Sequence, residues 1–101
     1  MTTRSTEQPE RQAVAVRVRY FAGAREAAGV AEETVQVAPA LPNGAVLASD
    51  VVDAVLSSHG RRLARVVAAC SFLLNGVAVR DRAAEVAEGD ELDVLPPFAG
   101  G

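Results

Sequence analysis

The chain has 101 residues, 50% hydrophobic and 23% charged, which is the size and balance of one globular domain with a single core. Thirteen acidic against ten basic residues give a formal net charge of -3, which supplies no pull toward phosphate backbones or anionic lipid and argues against a nucleic acid partner. No stretch reaches the roughly 18 to 20 apolar residues of a membrane span, and a single cysteine, Cys70, excludes an intrachain disulfide.

Residues 1–12 are polar, carry Pro9 and lack the hydrophobic region of a signal peptide. They read as a disordered extension to a domain spanning 13–95, with the cytoplasm as the expected location. Val14, Val16, Val18 and Tyr20 alternate with Ala15, Arg17 and Arg19, the pattern of a half-buried strand. Residues 21–29 form a connection closed by Gly29, after which Val35 and Val37 mark a second strand that can pair with the first as a hairpin. Two prolines, Asn43 and Gly44 interrupt regular structure across 39–44. A helix is predicted over 49–58, N-capped by Ser49 or Asp50, with Val52, Val55 and Leu56 as its buried stripe and His59-Gly60 as its stop.

Residues 61–65 allow a short helical turn, and 69–74 read as a buried strand ending at Asn75-Gly76. Val77, Ala78 and Val79 can pair across that turn. Gly89-Asp90 marks another turn, and Glu91 to Leu95 alternates with Leu92 and Val94 on one face. Pro96-Pro97 ends the ladder because proline has no N–H to donate. One substantial helix among five strands predicts an α+β fold, a β-grasp or ubiquitin-like mixed sheet of four or five strands packed on that helix. A ferredoxin-like sandwich, with two crossover helices, is the alternative.

Catalytic constellations are missing from the sequence. His59 reads as a helix C-cap, Cys70 as an inert core thiol, and one His with one Cys cannot supply a metal's usual three or four N/S ligands. Glu85, Glu88, Asp90, Glu91 and Asp93 read as a solvated acidic face, and Gly23 and Gly29 lack phosphate-loop spacing. All ten basic residues are Arg, so no side-chain amine is available for acylation.

The tail, 96–101, is the remaining feature. Gly100 and Gly101 carry no Cβ, so the terminus can thread a channel too narrow for side chains while its carboxylate stays sterically open. Six residues from Pro96 onward reach at most about 20 Å, with the Pro-Pro step stiffening the base.

The segment Val18-Arg19-Tyr20-Phe21-Ala22, followed by Arg25-Glu26, the Leu74-Asn75-Gly76 turn, Gly89-Asp90-Glu91 and a terminal Pro96-Pro97-x-x-Gly100-Gly101 together resemble the small subunits of molybdopterin synthase. The resemblance runs from Val14 to Gly101, with the extension over 1–12, the insertion near 39–44 and the missing lysines as departures. It implies that an adenylating enzyme uses ATP and Mg²⁺ to activate the Gly101 carboxylate, that sulfur delivery makes a thiocarboxylate, and that the large synthase subunit holds the tail beside a pterin substrate. Catalytic side chains would then belong to the partners, and no cofactor or metal to this chain. By the same resemblance Phe98, Pro97, Pro96, Leu95 and Phe21 form an apolar docking surface with Arg25 as a polar contact, core packing being the other reading of Phe21 and Leu95. Carriers for cysteine synthesis, thiazole synthesis or tRNA thiolation share the Gly-Gly end. A non-catalytic β-grasp interaction module is the alternative of another class.

Overall fold

The period-two alternation of the first segment becomes β1 (Val14–Tyr20), with Val16, Val18 and Tyr20 buried. The computed structural model describes residues 13–39 and 44–97. After β1 come α1 (Ala22–Ala28), β2 (Glu32–Val37), β3 (Val46–Leu47), α2 (Ala48–Ser58), α3 (Arg61–Val67), β4 (Ser71–Leu74), β5 (Val77–Ala78), β6 (Glu85–Val86) and β7 (Glu91–Leu95). Five strands form a mixed sheet in the order β2-β1-β7-β4-β5, in which β1 and β7 are parallel and the other pairs antiparallel. One face of this sheet packs on α2 through Ala48, Val51, Val52 and Val55, and on α3 through Leu63 and Val67. The architecture is the expected α+β, ubiquitin-like β-grasp. A single helical crossover, α2 with α3, joins β2 to β4, and α1 lies inside the β1–β2 hairpin, so the two-crossover ferredoxin-like arrangement does not apply.

Several local expectations are corrected. The connection after Phe21, given no secondary structure from the sequence, forms a helix, closed as expected by Gly29 at φ 82, whose N–H donates to the Arg25 carbonyl at 2.9 Å. Seven residues would not hold a helix alone, and burial of Ala24 supplies the tertiary support. Helix α2 begins at Ala48 with Leu47 as its N-cap, in place of Ser49 or Asp50. Asp50 instead sits at N3 and its carboxylate accepts the Leu47 N–H at 2.9 Å, the reach-back half of a capping box. The helical turn expected at 61–65 extends to Val67, β4 begins only at Ser71, and the two-residue ladder of β3 with β6 carries no periodicity that a sequence could reveal.

The Asn75-Gly76 turn is as expected, with φ 51 and 84 at the two residues. Its Asn is also tied to the centre of the sheet. Asn75 donates its N–H to the Glu91 carbonyl at 2.8 Å and accepts the Glu91 N–H on Oδ1 at 2.9 Å. Asn75→Ala combines a positive φ that Ala tolerates poorly with the loss of that side-chain acceptor, together about 2 kcal/mol. Thermal melting should show Tm lower by roughly 10 °C, and an unchanged Tm would mean that the turn does not hold β7 in register.

Candidate functional site at the end of the last strand

The chain's last strand occupies the middle of the sheet. Because β7 runs parallel to β1 with Tyr20 opposite Val94, the two strands end at the same edge, and the Phe21 N–H donates to the Val94 carbonyl at 3.2 Å. Continuing that register by one residue sets Phe21 beside Leu95, while on the other side Leu95 lies opposite Ser71 of β4. Leu95 and Pro96 are half-buried, and Pro97 is exposed. Phe21 is 37% exposed, which removes the core-packing reading for it. Its carbonyl accepts the N–H groups of Ala24 and Arg25 at 3.0 and 3.3 Å, so α1 starts directly behind it. The first residue of α1, Ala22, takes φ 49, a left-handed conformation that costs a non-glycine residue about 1 kcal/mol and turns the strand sharply into the helix.

Arg25 is exposed one turn along α1, where it lines an open depression with Ala22, Glu26, Gly29, Val30 and Ala31. Among the described residues no acid pairs with it. The structure thus gathers Phe21, Leu95, Pro96 and Pro97 at one sheet end with Arg25 behind them. Phe98, Gly100 and Gly101 lie outside the described residues.

Two polar clusters near this end escape the sequence reading. On the outer face, Asp93 is 5% exposed and accepts Arg19 Nε at 2.7 Å and Nη2 at 2.9 Å, with Glu91 at 3.4 Å from the same guanidinium. Asp93 is therefore not part of a solvated acidic face. Glu88 and Asp90 also have backbone work, accepting the N–H groups of Ala15 and Ala87 at 2.8 Å each. The hydrogen bonds that it donates to Asp93 first, then the surrounding carboxylates, hold the Arg19 guanidinium well above its usual pKa.

On the core face, Glu33 Oε2 meets the Tyr20 hydroxyl at 2.5 Å and His59 Nε2 at 2.6 Å. His59 does cap α2, its N–H donating to the Val55 carbonyl, but its ring serves this cluster and packs edge-on to Tyr20 with centroids 5.9 Å apart. Burial and the bond to Glu33 push the Tyr20 phenol far up. Burial also pulls Glu33 upward, but the hydrogen bonds from Tyr20 and His59 outweigh it and hold the carboxyl below its ordinary range. A sequence signal existed: Glu33 is in phase with Val35 and Val37, so it must face inward and find partners. Cys70 donates to the Val66 carbonyl at 3.2 Å, and burial pushes its thiol up, in keeping with an inert residue. No described group of three or more His, Cys, Asp or Glu side chains is arranged to hold a metal, and no described helix is long and apolar enough to cross a membrane.

A mixed β-grasp sheet whose final strand runs up its centre to a proline step and an exposed aromatic defines a ubiquitin-like domain. Residues 18–101 match the ThiS family, and the chain belongs to that family. It is 37% identical over 87 residues to the molybdopterin synthase sulfur carrier subunit of Chlamydomonas reinhardtii, across 85% of this chain and 98% of that protein. Among solved structures, SAMP1 of Haloferax volcanii superimposes with a TM-score of 0.71 at 29% identity, covering 86% of this chain and 99% of SAMP1. A Pyrococcus furiosus protein assigned as subunit 1 of a molybdopterin converting factor gives a TM-score of 0.68 at 30% identity, covering 84% and 99% of the two chains.

The Glu33 cluster sets an acid-side dependence. A carboxyl whose folded pKa lies below its unfolded value stabilises the fold above the ordinary carboxylate range, and that contribution is lost as pH falls through the depressed folded pKa. Glu33→Gln should therefore melt below the wild type near pH 7, and the gap should narrow as the pH falls below the ordinary carboxylate range. A gap that stays constant across that range would show that Glu33 contributes by packing and not by charge.

Proposed function

We propose that this chain is the sulfur carrier of molybdenum cofactor biosynthesis, working as the small subunit of a molybdopterin synthase in the cytoplasm. The observation that carries the reading is the parallel placement of β7, which brings Pro96-Pro97 to the end of the sheet beside Phe21. The family match over 18–101 and the Chlamydomonas carrier subunit support it.

In the proposed cycle an adenylating enzyme holds ATP and Mg²⁺, and a Gly101 carboxylate oxygen attacks the α-phosphorus to form an acyl-adenylate with release of pyrophosphate. A sulfide-level sulfur nucleophile then displaces AMP and leaves a thiocarboxylate. The large synthase subunit takes up the tail, and sulfur passes to the pterin precursor. This chain contributes reach and shape. Pro96 and Pro97 prevent β7 from pairing further, and the side-chain-free Gly100-Gly101 end fits a confined active site. Phe98, Pro97, Leu95 and Phe21 supply the apolar docking surface, with Arg25 offering a cation at its border. A second reading has one support, the likeness to SAMP1, a small archaeal modifier protein. There the activated Gly101 carbonyl would pass to an amine of another protein in place of sulfur.

Mass spectrometry of the chain from its native host separates the two. Sulfur loading adds about 16 Da at Gly101, the difference between sulfur and oxygen, whereas a modifier gives amide-linked conjugates and no thiocarboxylate. Deleting Gly100 and Gly101 should abolish loading and leave Tm nearly unchanged, because residues beyond the last strand add little to the core. Two substitutions should then fail differently. Gly100→Val should dock but load slowly, because its branched side chain crowds the reacting carbonyl. Phe98→Ala should weaken partner affinity by a few kcal/mol, as loss of an aromatic interface residue commonly does. Wild-type loading of Gly100→Val would refute the narrow channel.

A further inference from the structure

Phe21 is an exposed aromatic, yet its surroundings are built to hold it still. The Arg19 guanidinium lies 5.5 Å from the Phe21 ring centroid, on the same outer face two residues earlier along β1. That guanidinium is fixed by the buried Asp93 of β7, which takes Nε and Nη2 at 2.7 and 2.9 Å. Two parallel bonds to one carboxylate fix the plane of the group as well as its place. The Phe21 backbone is held from the same strand, its N–H donating to Val94, the residue next to Asp93.

We propose that Asp93 and Arg19 are positioning residues that hold the Phe21 ring ready beside the exit of the tail, so that the partner that loads Gly101 meets an ordered aromatic. The inference rests on the carrier reading for the identity of that partner, and on the geometry alone for the ordering of the ring. Its physical basis is that a side chain already fixed in the free protein loses less rotamer freedom when it is buried by a partner. Asp93 is a central-strand residue with no other visible reason to be charged, since an apolar residue at a 5% exposed position would bury more cheaply.

Arg19→Met alone would strand the Asp93 charge and endanger the fold. The paired variant Arg19→Gln with Asp93→Asn keeps a polar contact of similar shape and removes the charge and the planar pair of hydrogen bonds, and Arg19→Lys keeps the charge without that pair. The first measurement needs no partner: three-bond NMR couplings that report χ1 of Phe21 in the free chain. A single rotamer is expected in the wild type and averaged rotamers in the paired variant. The second is steady-state loading by the purified adenylating enzyme with ATP and Mg²⁺. KM for the carrier should rise about 5- to 10-fold with kcat within about twofold, Arg19→Lys should fall between, and Phe21→Ala should raise KM by a larger factor in the wild type than in the paired variant.

A χ1 that stays fixed in the paired variant overturns the proposal. So does an averaged χ1 with unchanged KM, or a Phe21→Ala loss of the same factor in the wild type and in the paired variant. If the wild-type chain is not loaded at all, the carrier reading fails and the docking role falls with it, while the coupling measurement separately shows whether the pair orders the ring.

Discussion

The parallel pairing of β1 with β7 is the constraint on which the rest of the molecule depends. It places the last strand of the chain in the middle of the sheet, flanked by β1 and β4, with Leu92, Asp93 and Val94 all buried. A terminal segment attached to an edge strand could fray together with that strand. Here the residues before Pro96 are held by ladders on both sides, and from Pro96 the ladder stops because neither proline can donate. The same pairing determines the neighbours of the tail's base, since Tyr20 opposite Val94 leaves Phe21 and the start of α1 alongside Leu95.

Much of this was legible in the sequence because it rests on local signals. Period-two alternation marked β1 and β7, Asn75-Gly76 and Gly89-Asp90 marked turns, and Val52 and Val55 marked the buried face of α2. What was not legible depends on who stands next to whom. Asp93 lies in an acidic stretch and reads as solvated until β7 is known to be central with Arg19 across the ladder. Helix α1 has weak intrinsic support at seven residues, and α2 begins at Ala48 because the Ala84 and Arg82 carbonyls accept the N–H groups of Ala48 and Ser49 at 2.8 and 2.9 Å. Of the site residues that the sequence singled out, Leu95 and Pro96 are half-buried, and Pro97 and Phe21 are exposed. Phe98, Gly100 and Gly101 rest on the sequence alone.

The end of β1 shows how a strand can be fixed on both faces at once. Arg19 and Tyr20 are consecutive, so their side chains leave the sheet in opposite directions. Each is met by a carboxylate from a neighbouring strand: Asp93 of β7 on the outer face and Glu33 of β2 on the core face. Glu33 is itself held by His59 at the end of α2, which links strand, strand and helix through one oxygen, Oε2. The acids differ in what they do. Glu33 couples the sheet to the helix beneath it, and Asp93 couples the strand that carries the tail to the strand that carries Phe21. A small aliphatic core, built largely of valine, gives little shape-specific interlocking from large side chains. The two polar clusters then supply directional bonds at the end of the sheet that leads into Pro96, and a slip of β7 by one residue would break Asp93 from Arg19 and turn Leu92 and Val94 toward the outer face together.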